Sequence, residues 1–352
     1  MIKALGALGI AGKALKLLES YLKNRKQFVM MDTFKSAIEI IFRGVPQGGI
    51  LAPLLFIIYV NSLWNTLKQQ LTRATVSLIQ YADDTTIIIS SESLEDLIVS
   101  YRKILALVKK YFARLELSFN EEKTSCMLFG ADLEVGRRLL DEEGIRTVDV
   151  VKFLGIWIDT KLTWDEQTNK LTNKLASMRY LMSKARKVLQ MDAIKSLYYA
   201  HVHSHLSYNI LAWGNSRRFN EIFIAQKAVV RAMFGLKKGE TCRETFIKHA
   251  ILTTPSMYIF EVLKFLTENE EEFNRFKSAH SYNTRNGNNI QLSSVGARSH
   301  SSGLCLLAAQ IFNKLPEALK GIECPQVFLR RVKVLLQEKA YYSLDEYLNS
   351  TI

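Results

Sequence analysis

Along this 352-residue chain, apolar positions recur at helical spacing, cluster in β-branched runs, or give way to Gly/Pro punctuation. Leu15, Leu18 and Leu22 fall three and four apart, so residues 4 to 24 read as an amphipathic helix ending near Asn24-Arg25-Lys26. Lys13 and Lys16 interrupt its apolar run, which argues against a signal peptide. Gln27 to Met31 and Ser36 to Phe42 read as two short strands, with Asp32-Thr33 at the turn between them. A Gly/Pro cluster at Gly44, Pro46, Gly48 and Gly49 precedes a long apolar helix from Leu51 to Leu71. Thr75 to Ile79 and Thr86 to Ser90 then flank Tyr81-Ala82-Asp83-Asp84, the pattern of a tight hairpin with two aspartates at or beside its turn.

Leu94, Leu97, Ile98, Tyr101, Leu105 and Val108 predict a helix over Ser93 to Leu115, and Ser93 with Asp96 has the spacing of a capping box. Lys123 to Phe129 reads as a strand, and Val150 to Ile158 as a further one. From Trp164 to about Phe234 the pattern is helical, and Lys170, Lys174, Arg179, Lys184, Arg186, Lys187 and Lys195 make it basic throughout. Ser278 to Ser302 is rich in Asn, Ser, Gly and Arg and reads as a polar loop or linker. Leu304 to Leu315 and Val327 to Gln337 return to helix, bounded by Pro316 and Pro325.

Composition changes this picture in one respect. Apolar content of 48% and charged content of 23% are ordinary for a folded chain, but the formal net charge is +13. Such an excess suits a polyanionic partner, because Lys and Arg that neutralise phosphates release condensed counterions. A basic membrane-surface or ribosome-associated protein has the same balance. The apolar run from Ile50 to Val60 falls short of the ~20 residues of a spanning helix, so no membrane span is expected. Cys126, Cys242, Cys305 and Cys324 are scattered, with neither CxxC pairs nor zinc-ligand spacing, which predicts neither a disulfide framework nor structural zinc.

Adjacent aspartates at a hairpin are the strongest local chemical signal. Phosphoryl transfer between nucleotides is commonly run by two metal ions ~3.5–4 Å apart, held by several carboxylates. Mg²⁺ suits this, since it takes one or two carboxylates together with substrate phosphates. In isolation, Asp-Asp is simply a favourable turn dipeptide, and a Gly/Pro cluster is an ordinary loop before a helix. His201, His203 and His205 would share a face only in a strand. Their context is helical, which scatters them around the axis and argues against a metal site.

The surroundings are more specific. Phe42-Arg43-Gly44-Val45-Pro46-Gln47-Gly48-Gly49-Ile50-Leu51-Ala52-Pro53-Leu54-Leu55-Phe56, then Tyr81-Ala82-Asp83-Asp84-Thr85, resemble central palm motifs of reverse transcriptases. Phe119-Asn120-Glu121-Glu122-Lys123-Thr124 and Phe153-Leu154-Gly155-Ile156-Trp157-Ile158-Asp159 follow in that family's order. The phenylalanine-leucine-glycine strand is most like the non-LTR, Jockey-like retrotransposons, and His280-Ser281-Tyr282-Asn283-Thr284-Arg285 is similar to a stretch near the end of those polyproteins.

The resemblance implies an RNA-directed DNA polymerase acting with an RNA template, a DNA primer, deoxynucleotides and Mg²⁺. By it, Asp83, assisted by Asp84, is the catalytic metal ligand. Gln47 and Gly48 border the incoming nucleotide, and Lys123 approaches its phosphates. Phe153, Leu154 and Gly155 form a primer-grip-like support. The fold class it implies is α+β. A partial palm, with an antiparallel sheet, packed helices and the primer-grip-like hairpin, covers 1–160. A helical thumb follows over 161–250, and a helical C-terminal region over 251–352 carries the polar loop near 278–302. Such elements use chromosomal DNA as primer for integration. Nuclear and cytoplasmic placement both stay open, and secretion is not expected.

One departure matters. In the family, an earlier strand carries the first metal-binding aspartate. The 42 residues before Arg43 hold a single aspartate, Asp32, whose turn matches the segment after that strand. The expectation is a chain that starts past this motif, without fingers, first palm strand or upstream endonuclease, and with no separate RNase H acid cluster. Exposed sheet edges and weak or absent polymerisation would follow. Two alternatives stay open: a catalytically dead nucleic-acid-binding remnant, and a product without a stable fold.

Overall fold

The computed structural model describes residues 1–68, 74–130, 133–269, 273, 289–290 and 302–350. Contacts divide the chain into one unit of Met1–Cys126 with Gly130–Thr147, and another of Met127–Phe129 with Val148–Ile352. The expected loop at Ser278 to Ser302 falls almost wholly outside the described residues, as do His280 to Arg285.

The first unit mixes short helices with two-stranded antiparallel ribbons. Helices α1 (Ile2–Ala7) and α2 (Gly12–Leu22) replace the single helix expected over 4–24. Gly9 ends α1 at φ +87°, with its N–H donating to Gly6 O and that of Ile10 to Leu5 O, a Schellman closure that only glycine enters without strain. Next come β1 (Arg25–Gln27), β2 (Met30–Met31), β3 (Phe34–Lys35) and β4 (Glu39–Ile41), with β1 pairing β4 and β2 pairing β3 around the expected Asp32-Thr33 turn. The two expected strands are thus each interrupted, where Val29 N–H donates to Ser36 Oγ at 2.8 Å.

The long apolar helix expected from Leu51 is also two, α3 (Ala52–Val60) and α4 (Leu63–Lys68). The buried Tyr111 hydroxyl donates to Val60 O at 3.0 Å and lies 2.9 Å from Ser62 Oγ, giving the carbonyl at the break a partner outside the helix. The hairpin β5 (Thr75–Tyr81) and β6 (Asp84–Ser90) is followed by α5 (Leu94–Arg114), whose N-cap Ser93 accepts from Asp96 N–H at 3.1 Å as the sequence predicts. Val76, Leu78, Ile87 and Ile89 turn one face of the hairpin onto Leu63, Leu67, Ile104, Val108 and Tyr111. After α6 (Leu133–Glu142), this unit ends at Thr147.

Between 120 and 124 the expected strand entry is a turn instead. Asn120 Oδ1 accepts from Lys123 N–H at 3.0 Å and Asn120 O from Thr124 Oγ1 at 2.7 Å, an Asx-type competition with extended pairing. Beyond it, strand pairing is reduced to one parallel bridge, Cys126 with Thr147.

The second unit opens on a hairpin, β7 (Val150–Phe153) with β8 (Ile156–Asp159), rather than one continuous strand over 150–158. Leu154 at φ +43° and Gly155 at φ +93° make the two-residue turn, the doubly left-handed pattern suited to twisted ribbons. Helices then build the core: α7 (Asp165–Ala185), α8 (Met191–Tyr198), a π-helical turn (Tyr199–His203), α9 (Ser204–Ser207), α10 (Ile210–Trp213), α11 (Phe219–Phe234), α12 (Arg243–Lys248), α13 (Thr254–Glu268), α14 (Ser302–Asn313), α15 (Glu317–Lys320), α16 (Pro325–Lys339) and α17 (Leu344–Asn349). Leu171, Leu175 and Met182 of α7 join Ile222, Val229 and Met233 of α11 in one apolar cluster. Buried Gln226 is fully engaged: Nε2 donates to Tyr198 Oη and Leu252 O at 2.9 Å, and Oε1 accepts from Thr254 N–H and Oγ1 at 2.8 Å. The architecture is therefore mixed α and β, with small antiparallel ribbons and a predominantly helical second unit.

Candidate active site

Antiparallel pairing runs without interruption from Thr75↔Ser90 to Tyr81↔Asp84, leaving Ala82 and Asp83 as a two-residue turn. Because side chains alternate across a ribbon, Val76, Leu78 and Gln80 face the helices, and Ser77, Ile79 and Tyr81 face the opposite way. Asp84, paired with Tyr81, shares that open face with Thr86 and Ile88. Asp83 sits in the turn itself. Both carboxylates are exposed, and neither has an ion-pair partner among the described residues. Ala82 enters the turn at φ +50°, a left-handed conformation uncommon for a residue with a Cβ. The hairpin thus puts two uncompensated anions at the tip of a ribbon anchored by its apolar face. That arrangement suits a cation.

Gln47 and Gly48 occupy a different turn of the same unit. Gly49 N–H donates to Pro46 O at 3.3 Å, closing a four-residue turn whose third position, Gly48, has φ +76°. Glycine at the left-handed third position is what this turn geometry favours. A Cβ on Gly48 would meet open space, whereas one on Gly49 would lie 2.7 Å from the Tyr21 hydroxyl. Arg25 braces the approach by donating through Nη2 to Arg43 O at 3.0 Å and Gly44 O at 2.5 Å. Its sequence context alone assigns Arg25 no such role. Gln47 and Gly48 are exposed, as is Lys123 in its Asn120 turn. Among the described residues, no hydrogen bond or ion pair joins any of these three to Asp83 or Asp84.

In the second unit, Phe153, Leu154 and Gly155 form the tip of β7–β8. Tyr208 Oη donates to Leu154 O at 2.5 Å, and its ring lies 3.4 Å from where a Gly155 Cβ would stand. Asp159, present in the motif but given no role from sequence, organises the loop into α7. Its Oδ1 accepts from Lys161 N–H at 3.1 Å, Thr163 N–H at 2.9 Å and Thr163 Oγ1 at 3.2 Å, and Oδ2 accepts from Trp164 N–H at 2.7 Å. Trp157 N–H donates to buried Gln167 Oε1 at 3.1 Å.

Helix α7 buries Leu171, Leu175 and Met182 and exposes Lys170, Lys174, Tyr180 and Lys184. Lys170 Nζ stands 5.0 Å from the Trp157 ring and Lys184 Nζ 5.4 Å from that of Tyr180. This is a basic and aromatic face. The histidines lie on the π-helical turn and α9, the helical setting their context predicts. Burial, then Lys333, holds His203 below the ordinary histidine range.

As to a metal, Asp83 and Asp84 fit the carboxylate share of one hydrated divalent ion, the remaining positions falling to water and substrate phosphate. They do not make up the full donor set of two such ions: among the described residues no cluster of three or more His, Cys, Asp or Glu side chains could hold a metal. Among these residues, too, no helix is long and apolar enough to cross a membrane.

Comparison with known proteins bears on the same segment. The reverse transcriptase (RNA-dependent DNA polymerase) family model matches residues 2–158. The RNA-directed DNA polymerase from mobile element jockey of Drosophila melanogaster is 25% identical over 232 residues, covering 62% of this chain and 25% of that protein. A probable RNA-directed DNA polymerase from transposon BS of the same fly is likewise 25% identical over 232 residues, with the same coverage of each chain. One from transposon X-element is 21% identical over 202 residues, 56% of this chain and 22% of the relative. The chain spans about a quarter of the length of these relatives. The hairpin aspartates and the Gly-rich turn lie inside the segment that matches the reverse transcriptase model, and the chain is similar to the RNA-directed DNA polymerases of these mobile elements.

Proposed function

We propose that this chain contributes the metal-holding hairpin of a polymerase that joins deoxynucleotides to a DNA primer on an RNA template. The observation that carries this is the β5–β6 tip, where Asp83 in the turn and Asp84 on the open face stand exposed and unpaired within a segment matching the reverse transcriptase model. Bound Mg²⁺ would neutralise the phosphates in transfer. The chain's own part is to hold two carboxylates on a ribbon whose other face is locked to α4 and α5. Gln47 and Gly48 would border the nucleotide, with backbone approach eased by the Cβ-free, left-handed Gly48. Lys123 would meet its phosphates as a compact cation. Phe153, Leu154 and Gly155 would support the primer end. In this reading 1–160 is palm, 161–250 a thumb whose basic α7 face holds phosphates without reading sequence, and 251–352 a helical C-terminal region.

The test is primer extension on poly(rA)/oligo(dT). A chimera in which residues 1–158 replace the matching segment of the D. melanogaster jockey polymerase should extend the primer. Asp83→Asn should cut incorporation about 100-fold or more, as loss of a direct metal ligand must exceed the 10–100-fold typical of outer-shell losses. Incorporation by the chimera that is indifferent to Asp83→Asn would refute the assignment.

The incomplete donor set favours a second reading for residues 1–352 on their own, a nucleic-acid-binding remnant without catalysis. Residues 1–352 should then bind an RNA–DNA duplex in a salt-dependent way and give little or no incorporation. Clear Asp83-dependent incorporation by residues 1–352 alone would exclude it.

A further inference from the structure

The helical unit contains a cleft of about 170 Å³ that the polymerase reading leaves unused. It lies where the segment after α10 meets the first turns of α11 and α13 and the chain entering α17. Its walls are aromatic. Phe219 and Tyr258 stand with centroids 5.9 Å apart, and Phe223 and Tyr342 meet edge to face at 4.9 Å. Gly214 allows this closeness, since a Cβ there would lie 2.3 Å from Tyr258 Cδ2. At the polar side are Asn215, Asn220 and Ser216, whose Oγ is buried without a hydrogen-bond partner among the described residues.

Each feature narrows the occupant. Pockets for drug-sized ligands run ~300–1,000 Å³, so this one suits a single ring system. An unsatisfied buried hydroxyl costs stability unless something completes it, and a ring edge bearing donors and acceptors can do so. The slot also lies among cations. Arg217 is exposed beside Ser216 and has no ion-pair partner among the described residues. Lys227 Nζ lies 5.2 Å from the Tyr342 ring, over which the Arg243 guanidinium, paired with Glu346, also stands at 4.3 Å. On a chain of net charge +13, a ring carried by a polyanion is favoured over an aromatic side chain of a protein.

We propose that this cleft takes one unpaired nucleobase from a single-stranded polynucleotide, stacked against the aromatic walls, its edge met by Ser216 and the flanking asparagines and its phosphates by Arg217. The residues lining this cleft all belong to the helical unit, and base binding there does not require the hairpin carboxylates.

The experiment uses residues 1–352 with neither nucleotide nor divalent metal, so its outcome is independent of polymerisation. Fluorescence anisotropy compares a labelled oligothymidylate of about ten nucleotides with an abasic oligomer bearing the same phosphates. The base-bearing strand should bind roughly 5- to 150-fold more tightly, the range of one stacked base. Ser216→Leu, which fills the slot, should abolish that advantage and leave abasic affinity unchanged. Asn220→Leu, at an exposed rim position, gives the same readout should Ser216→Leu disturb folding. Equal affinity for the two oligomers, or an advantage that survives the substitutions in folded protein, overturns the proposal. So does preferential binding of a tryptophan-bearing peptide, which would assign the slot to a protein partner.

Discussion

Replacing Asp159 with alanine tests whether one carboxylate fastens the β7–β8 hairpin to helix α7. The side chain accepts hydrogen bonds from three backbone N–H groups, those of Lys161, Thr163 and Trp164, and from the Thr163 hydroxyl. Bonds to a charged acceptor run ~1.5–3 kcal/mol when buried, but Asp159 is half-buried and water replaces part of each. Taking about 1 kcal/mol for each backbone donor gives a loss of about 3 kcal/mol in the helical unit. For a unit of this size, 1 kcal/mol moves Tm by ~2–4 °C, so Asp159→Ala should lower the helical transition by about 6–12 °C. Asp159→Asn retains one acceptor oxygen and should lose roughly half as much. The assay is thermal unfolding of residues 1–352 followed by circular dichroism at 222 nm. A shift below about 2 °C for Asp159→Ala would mean that these bonds merely replace equivalent ones to water, and the reasoning fails.

Gly48→Ala should cost about 1 kcal/mol, because φ +76° strains any residue with a Cβ although the space is open. Gly48→Asn should cost less, and chemical denaturation of the two variants distinguishes strain from crowding. His203 is held neutral first by burial and then by Lys333, so its folded pKa lies below the unfolded value of ~6.5. The sign follows: the unfolded state binds the extra proton, stability is full above about pH 6.5, and it is lost as pH falls toward and through the folded value. Tm of the helical unit should therefore fall between pH 7.5 and 5.5, and His203→Phe should flatten that fall; an unchanged slope would contradict it. For duplex binding, Lys174→Gln with Lys184→Gln should reduce the slope of log K against log salt by about 0.9 for each phosphate no longer neutralised, with little effect of sequence. An unaltered slope would remove α7 from the interface.

Much of the hairpin was legible because its signals are local. β-branched runs bracket Tyr81 to Asp84, and the ribbon's apolar alternation fixes which face meets the helices. Ser93 was readable as a cap for the same reason, the bond to Asp96 N–H lying within one turn. The misses occurred where distant partners decide. The break after Val60 depends on the Tyr111 hydroxyl, 51 positions away, and no periodicity within the apolar run records it. Lys123 to Phe129 has strand-forming residues, but Asn120 captures the backbone at their entry and the pairing is reduced to one bridge. Val150 to Ile158 carries a turn at Leu154-Gly155 that a single glycine only hints at, and Tyr208, 54 residues on, secures it. Arg25 and Asp159 act through backbone groups of turns, so their identity in sequence says nothing of the bonds they make.

In the proposed function, Asp83 and Asp84 together hold a divalent cation against nucleotide phosphates. Mn²⁺ binding to residues 1–352, followed by water-proton relaxation with template–primer and deoxynucleotide present, measures that directly. The native chain should bind an ion more tightly with nucleotide present, and the folded Asp83→Asn/Asp84→Asn variant should lose that binding while keeping its duplex affinity. Mn²⁺ binding of equal strength in the two proteins, or binding unaffected by nucleotide, would contradict that role.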